Sequence, residues 1–161
     1  MFYDAELSFL QAILKNLQLN PILISPQTYD MTNIDRGFRG LLGLKEEYQL
    51  MNQFIQQKIK GNTIYKAKDS FFCNYIFLQL PYTESTSILM IGPFTTIEIT
   101  KHSLMQLTEK YTIPAQFFSA IEKYYLSIPL WHYQGVLDKG DQIILQLNTY
   151  KEGMTSRSFT Y

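Results

Sequence analysis

A chain of 161 residues, 46% apolar and 17% charged, is long enough for one domain with a sizeable core. Fourteen basic residues balance fourteen acidic ones, which excludes the electrostatic footprint of a dedicated nucleic-acid binder. Aromatic residues reach 15%, almost all of them Tyr and Phe, the mark of an aromatic interior and not of a disordered or fibrous chain.

The opening MFYDAELSFLQAILKNLQLN has no basic segment and carries Asp4 and Glu6 early, unlike a signal peptide. Leu7, Leu10, Ile13, Leu14 and Leu17 recur at helical spacing and predict a helix over 4–18, with Asp4 as N-cap and Pro21 as stop. Its leucine stripe suits core packing first and dimerisation second. Ile22-Leu23-Ile24 reads as a short strand closed by Pro26.

Residues 27–45 are irregular, with Gly37, Gly40 and Gly43 among Asp30, Asp35, Arg36 and Arg39 and a short helical turn over 38–44. The two arginines read as solvated charges matched to the two aspartates, with an anion clamp as the alternative. The spacing predicts a helix over 46–59, with Leu50, Met51, Phe54, Ile55 and Ile59 on one side and Gly61-Asn62 as its end.

Thr63–Ala67 alternates partly and reads as an outer strand. Phe71–Leu80 is apolar on both sides: Phe71, Cys73, Tyr75 and Phe77 on one face, Phe72, Ile76, Leu78 and Leu80 on the other. Such a strand needs cover on both faces. After a polar loop, Ser87–Ile91 is its antiparallel partner. Gly92-Pro93 then breaks the ladder, since proline cannot donate and glycine permits a close approach. Thr95-x-x-Glu98 fits a capping box, and helices are expected over 98–111, 115–127 and 141–150. The polar stretch 151–161 reads as the start of a linker or a disordered tail, leaving 1–150 as the domain. Clustered antiparallel strands flanked by helices argue for an α+β fold.

The residues offer little chemistry. His102 and His132 lie far apart with no helical partner ligand, so no metal site is expected. Cys73, the single cysteine, sits among apolar residues that quiet a thiol. One cysteine also suits a reducing, cytoplasmic home, and no run of about 18 apolar residues suggests a membrane span. Gly37-Phe38-Arg39-Gly40-Leu41-Leu42-Gly43 lacks the spacing and preceding strand of a dinucleotide loop. Residues 104–123 imitate a helix-turn-helix, but the would-be reading helix offers only Lys123 as a cation. A pocket in such a domain would be apolar with a few polar anchors, which selects Tyr75, Phe77, Met90, Gly92 and Pro93 as candidate ligand-lining positions.

The runs DSFFCNYIFLQLP, ILMIGPFTTIEIT, LTEKYTIPAQFF and EKYYLSIPL resemble the N-terminal regulatory region of AraC-type transcription regulators of low-GC Gram-positive bacteria. So does the opening MFYDAELSFLQAILKNL. The resemblance spans most of residues 1–130. It implies a GAF- or PAS-like sensor domain, an antiparallel sheet flanked by helices, with a small-molecule effector and no cofactor. It further implies a homodimer, for which helices 4–18 and 141–150 are the candidate faces, and DNA contact only through a C-terminal region absent from this chain. No enzyme activity is expected on this reading. The competing readings are a small hydrolase or transferase with a site assembled across loops, and a compact DNA-binding protein using 104–123.

Overall fold

The computed structural model describes residues 8, 11, 12, 14–16, 19, 21–25, 29–59, 63–79, 88–131 and 155–160. Their strands are β1 (Pro21–Ile24), β2 (Thr63–Lys68), β3 (Asn74–Gln79), β4 (Ile88–Phe94) and β5 (Thr155–Thr160). Their α-helices, after helical residues at 8, 11, 12 and 14–16, are α1 (Phe38–Leu41), α2 (Glu47–Lys58), α3 (Lys101–Lys110) and α4 (Phe118–Ser127). The strands form one sheet in the order β1-β4-β3-β2-β5. The first four pair antiparallel, and β5 lies parallel to β2. The fold is α+β, with helices packed on an antiparallel sheet.

Register explains the two apolar faces foreseen for the central strands. Tyr65 lies opposite Phe77, Phe77 opposite Met90, and Met90 opposite Ile22. These side chains begin the larger core layer, which also takes Phe38, Met51, Ile55, Leu104, Leu107, Ile121 and Tyr125 from the helices. The alternate positions Ile64, Ile76, Leu78, Leu89 and Ile91 build a second layer with Leu14 and Leu19, and Trp131 packs against it. Period-two alternation thus places an apolar layer on each side of β3 and β4.

Several expectations are corrected. β2 is not an outer strand, because β5 pairs along its free side from Thr63↔Thr155 to Lys68↔Thr160. The same pairing takes Thr155–Thr160 out of the expected linker or tail. Its short polar sequence gave no apolar alternation to read. Phe71–Cys73 precede β3 and form the connection from β2, which puts Phe72 against the larger layer instead of the second one. In α2, Leu50 is 65% exposed, and Tyr48, Met51 and Ile55 are the buried residues. The helix expected from 98 begins at Lys101, where the Thr100 hydroxyl accepts from the Ser103 amide. Thr95 does not cap it: its backbone is bonded to the 129–131 segment instead.

Gly92-Pro93 does not end the ladder either. Asn74 pairs with Phe94 and Ile76 with Ile91, so β4 holds one extra residue, a β-bulge. The extra residue flips the alternation, and even-numbered Phe94 joins odd-numbered Ile91 in the second layer. The Gly92-Pro93 peptide is cis, and Gly92 has φ +134°. The expected helix over 141–150 lies outside the described residues.

Candidate functional site

The feature with the most chemistry is a buried arginine held by three carboxylates. Asp35 precedes α1, and its side chain accepts from the Gly37 amide at 3.1 Å and the Arg39 amide at 3.1 Å. Those are helix N-terminal donors without an intrahelical acceptor. Gly37, with φ +80°, makes the turn between them. The turn places Arg39 one helical step beyond Asp35, and its Nη1 donates back to Asp35 Oδ2 at 2.9 Å.

The rest of the guanidinium is equally occupied. Nη2 donates to Asp69 Oδ2 at 2.8 Å and Nε to Glu47 Oε2 at 3.1 Å. Arg39 Cζ stands 4.8 Å from the centroid of the Phe71 ring. Asp35, Arg39 and Asp69 are buried, whereas the Glu47 side chain keeps 32% of its exposure.

Asp69 also shapes the β2–β3 connection. Its Oδ1 accepts from the Phe71 and Cys73 amides at 2.9 Å each, and its own amide donates to the Cys73 carbonyl. This Asx-type turn brings Phe72 into the left-handed region, with φ +65°. Tyr48 donates to Asp35 Oδ1 at 2.7 Å and Tyr75 to Asp69 Oδ2 at 3.3 Å. The cluster therefore ties the 35–39 turn, α2 and the β2–β3 connection together. Helix α4 grips the same connection, because Tyr125 donates to the Phe71 carbonyl, and it also packs on α1, where Tyr124 stacks on Phe38.

Electrostatics follow from burial. Burial pushes the Asp69 carboxyl up, against the pull of Arg39 and of the Cys73 and Phe71 amides. Burial disfavours the charged form of Arg39, but Tyr75, Asp69 and Asp35 more than offset this and raise its pKa. Burial and the neighbouring Asp69 charge raise the Cys73 thiol well above its ordinary value. A thiol held protonated is a poor nucleophile. Each carboxylate oxygen of Asp35 and Asp69 already accepts two hydrogen bonds. Such an arrangement fixes backbone geometry and leaves no lone pair aimed outward.

The five candidate lining positions are all interior. Tyr75, Phe77 and Met90 have no exposed surface and adjoin one another in the larger layer, with the Tyr75 and Phe77 rings 6.2 Å apart. Gly92 and Pro93 lie in the fully buried β4. A Cβ on Gly92 would meet the Asn74 carbonyl oxygen at 2.7 Å and Tyr75 Cδ1 at 3.2 Å. The close approach that glycine permits is to the neighbouring strand.

The expected solvated charges split. Arg36 is exposed and donates to Ser127 at the end of α4, but Arg39 is the most deeply enclosed cation among the described residues. Sequence reading missed it because a buried ion cluster draws its members from distant segments. The local signals were the Asp35/Arg39 pair at helical spacing beside Phe38, and Asp69 two residues before Phe71. In the helix pair over 104–123, Ile121 is fully buried in the larger layer, so α4 is a core helix on that face. His102 is exposed and bonds Gln106, and His132 lies outside the described residues. Among the described residues no three His, Cys, Asp or Glu side chains are grouped to hold a metal ion, and no helix is long and apolar enough to cross a membrane.

No protein-family model, curated protein or solved structure matches this chain.

Proposed function

We propose that the chain is a regulatory module of an AraC-type transcription regulator, a GAF- or PAS-like domain that senses an effector or joins two copies. The observation that carries this reading is the aromatic layer between an antiparallel sheet and helices α2 to α4. That architecture suits a domain whose helices shift on a sheet, and the sequence runs quoted above belong largely to it. In this reading a small molecule or a second copy favours one arrangement of helices on the sheet. The shift can be no larger than the effector's differential affinity for the two arrangements. The Arg39 cluster acts as the fixed end, since it fastens α1, α2 and the β2–β3 connection. DNA recognition is assigned to a region outside these 161 residues, and the cytoplasm is the expected compartment.

The test is a fusion of this chain to a DNA-binding domain that occupies its operator only as a dimer. Operator occupancy restored by the fusion, and altered by a metabolite that also raises the melting temperature of the isolated chain, is the expected result. A monomeric chain with no occupancy and no stabilising metabolite would overturn the proposal.

A further inference from the structure

Strand β5 is unlike the other four. It sits at the end of the sheet with β2 as its neighbour, and it pairs parallel in a sheet that is otherwise antiparallel. Parallel pairing is slightly less stable per residue. Five of its six residues, Thr155, Ser156, Arg157, Ser158 and Thr160, are polar. Phe159 alone is apolar, so the strand lacks the apolar residues on both alternating sets that anchor β3 and β4.

Strand β2, by contrast, is anchored without β5. It shares five ladder positions with β3, from Ile64↔Leu78 to Lys68↔Asn74. Ile64 enters the second core layer, and Tyr65 and Ala67 enter the larger one. Its last turn of alternation carries Lys66 and Lys68, half-buried and exposed. Lysines of this kind are how a sheet edge avoids indiscriminate pairing. β2 is thus built as a tolerable edge although it is covered.

We propose that β5 is a detachable strap, docked on β2 and able to leave it while the four antiparallel strands stay intact. In the docked state Thr155–Thr160 occupy an edge that could otherwise accept an extended segment by strand addition. Release uncovers the outward backbone groups of β2 and frees the chain after residue 154. The inference does not depend on the regulatory reading.

Native-state hydrogen exchange on the full chain tests it, resolved by residue. The amides of 155–160 and the outward amides of β2 should exchange through a local opening, at least about tenfold faster than those of β3 and β4. Substituting Ser158→Pro should raise exchange in β2 further and leave β3 and β4 protection unchanged. Equal protection of β5 and β3 in the unaltered chain would overturn the proposal, because the strap would then open only with the whole fold. So would a complete lack of protection across 155–160, which would mean no docked state. Either outcome is read on the unaltered chain, even if the proline variant does not fold.

Discussion

Arg39 Nη2 meets Asp69 Oδ2 at 2.8 Å across thirty residues of sequence, with the two side chains 2% and 1% exposed. The pair joins the helical turn after Gly37 to the connection between β2 and β3. Removing one member leaves the other as an uncompensated buried charge. Arg39→Met should therefore destabilise the fold by about 3–5 kcal/mol, the usual result of breaking a buried pair. Arg39→Lys should fall between, because one ammonium cannot reproduce the fork toward Asp35, Asp69 and Glu47. Asp69→Asn keeps a carbonyl for the Phe71 and Cys73 amides. In that background Arg39→Met should cost less, by at least about 1 kcal/mol of coupling. Urea unfolding of the four variants checks the cycle.

This cluster also marks where sequence reading stopped. Strands β3 and β4 were legible because residues 75–78 and 88–91 are apolar on both alternating sets, and α3 and α4 because their apolar periods are helical. Arg39 was not, since the reasons for its burial lie in Asp69 and Glu47, whose proximity is a tertiary fact. Thr155–Thr160 reads as a tail in sequence because an edge strand beside a lysine-bearing neighbour needs no apolar alternation. Gly92 was noticed for the right property, closeness of backbone, but sequence could not say what approaches it. The answer is the Asn74 carbonyl.

Gly92→Ala should be costly for two separate reasons. The φ of +134° is a conformation that side-chain-bearing residues rarely adopt. The added methyl would also stand 2.7 Å from the Asn74 carbonyl oxygen, in backbone that cannot rotate away. A loss on the order of 1–3 kcal/mol is expected from the strain alone. Thermal unfolding would read it. A variant as stable as the parent would mean that the bulge in β4 can relax.

Leu14 tests the role of the N-terminal helical residues. It is fully buried in the second layer beside Leu19, so it faces inward within one chain. Leu14→Ala should lose about 2–5 kcal/mol by deleting buried methyl groups and leaving a cavity. The loss should not depend on protein concentration. A concentration-dependent loss, seen by unfolding across a dilution series, would place Leu14 at an interface between copies instead.

The buried phenols set the alkaline limit of the fold. Burial raises the pKa of Tyr75, Tyr124 and Tyr125, with the neighbouring Asp69 charge adding to it. A phenol ionises near pH 10 in an unfolded chain. Above that pH the native state keeps protons that the unfolded state has lost, so stability falls as pH rises. Each such phenol removes about 1.4 kcal/mol per pH unit, or about 4 kcal/mol per unit for the three together. Urea midpoints should accordingly be flat up to about pH 9 with respect to these groups and drop steeply beyond about pH 10. Tyr124→Phe separates this effect from lost bonding. Its buried hydroxyl meets only the Cys73 thiol, a weak partner outside good hydrogen-bonding geometry, so deleting it should leave stability at neutral pH nearly unchanged or slightly higher. At alkaline pH the same variant should lose stability less steeply, by about 1.4 kcal/mol per pH unit, because one buried phenol is gone. An unchanged slope would mean that Tyr124 ionises in the folded protein as readily as in the unfolded chain.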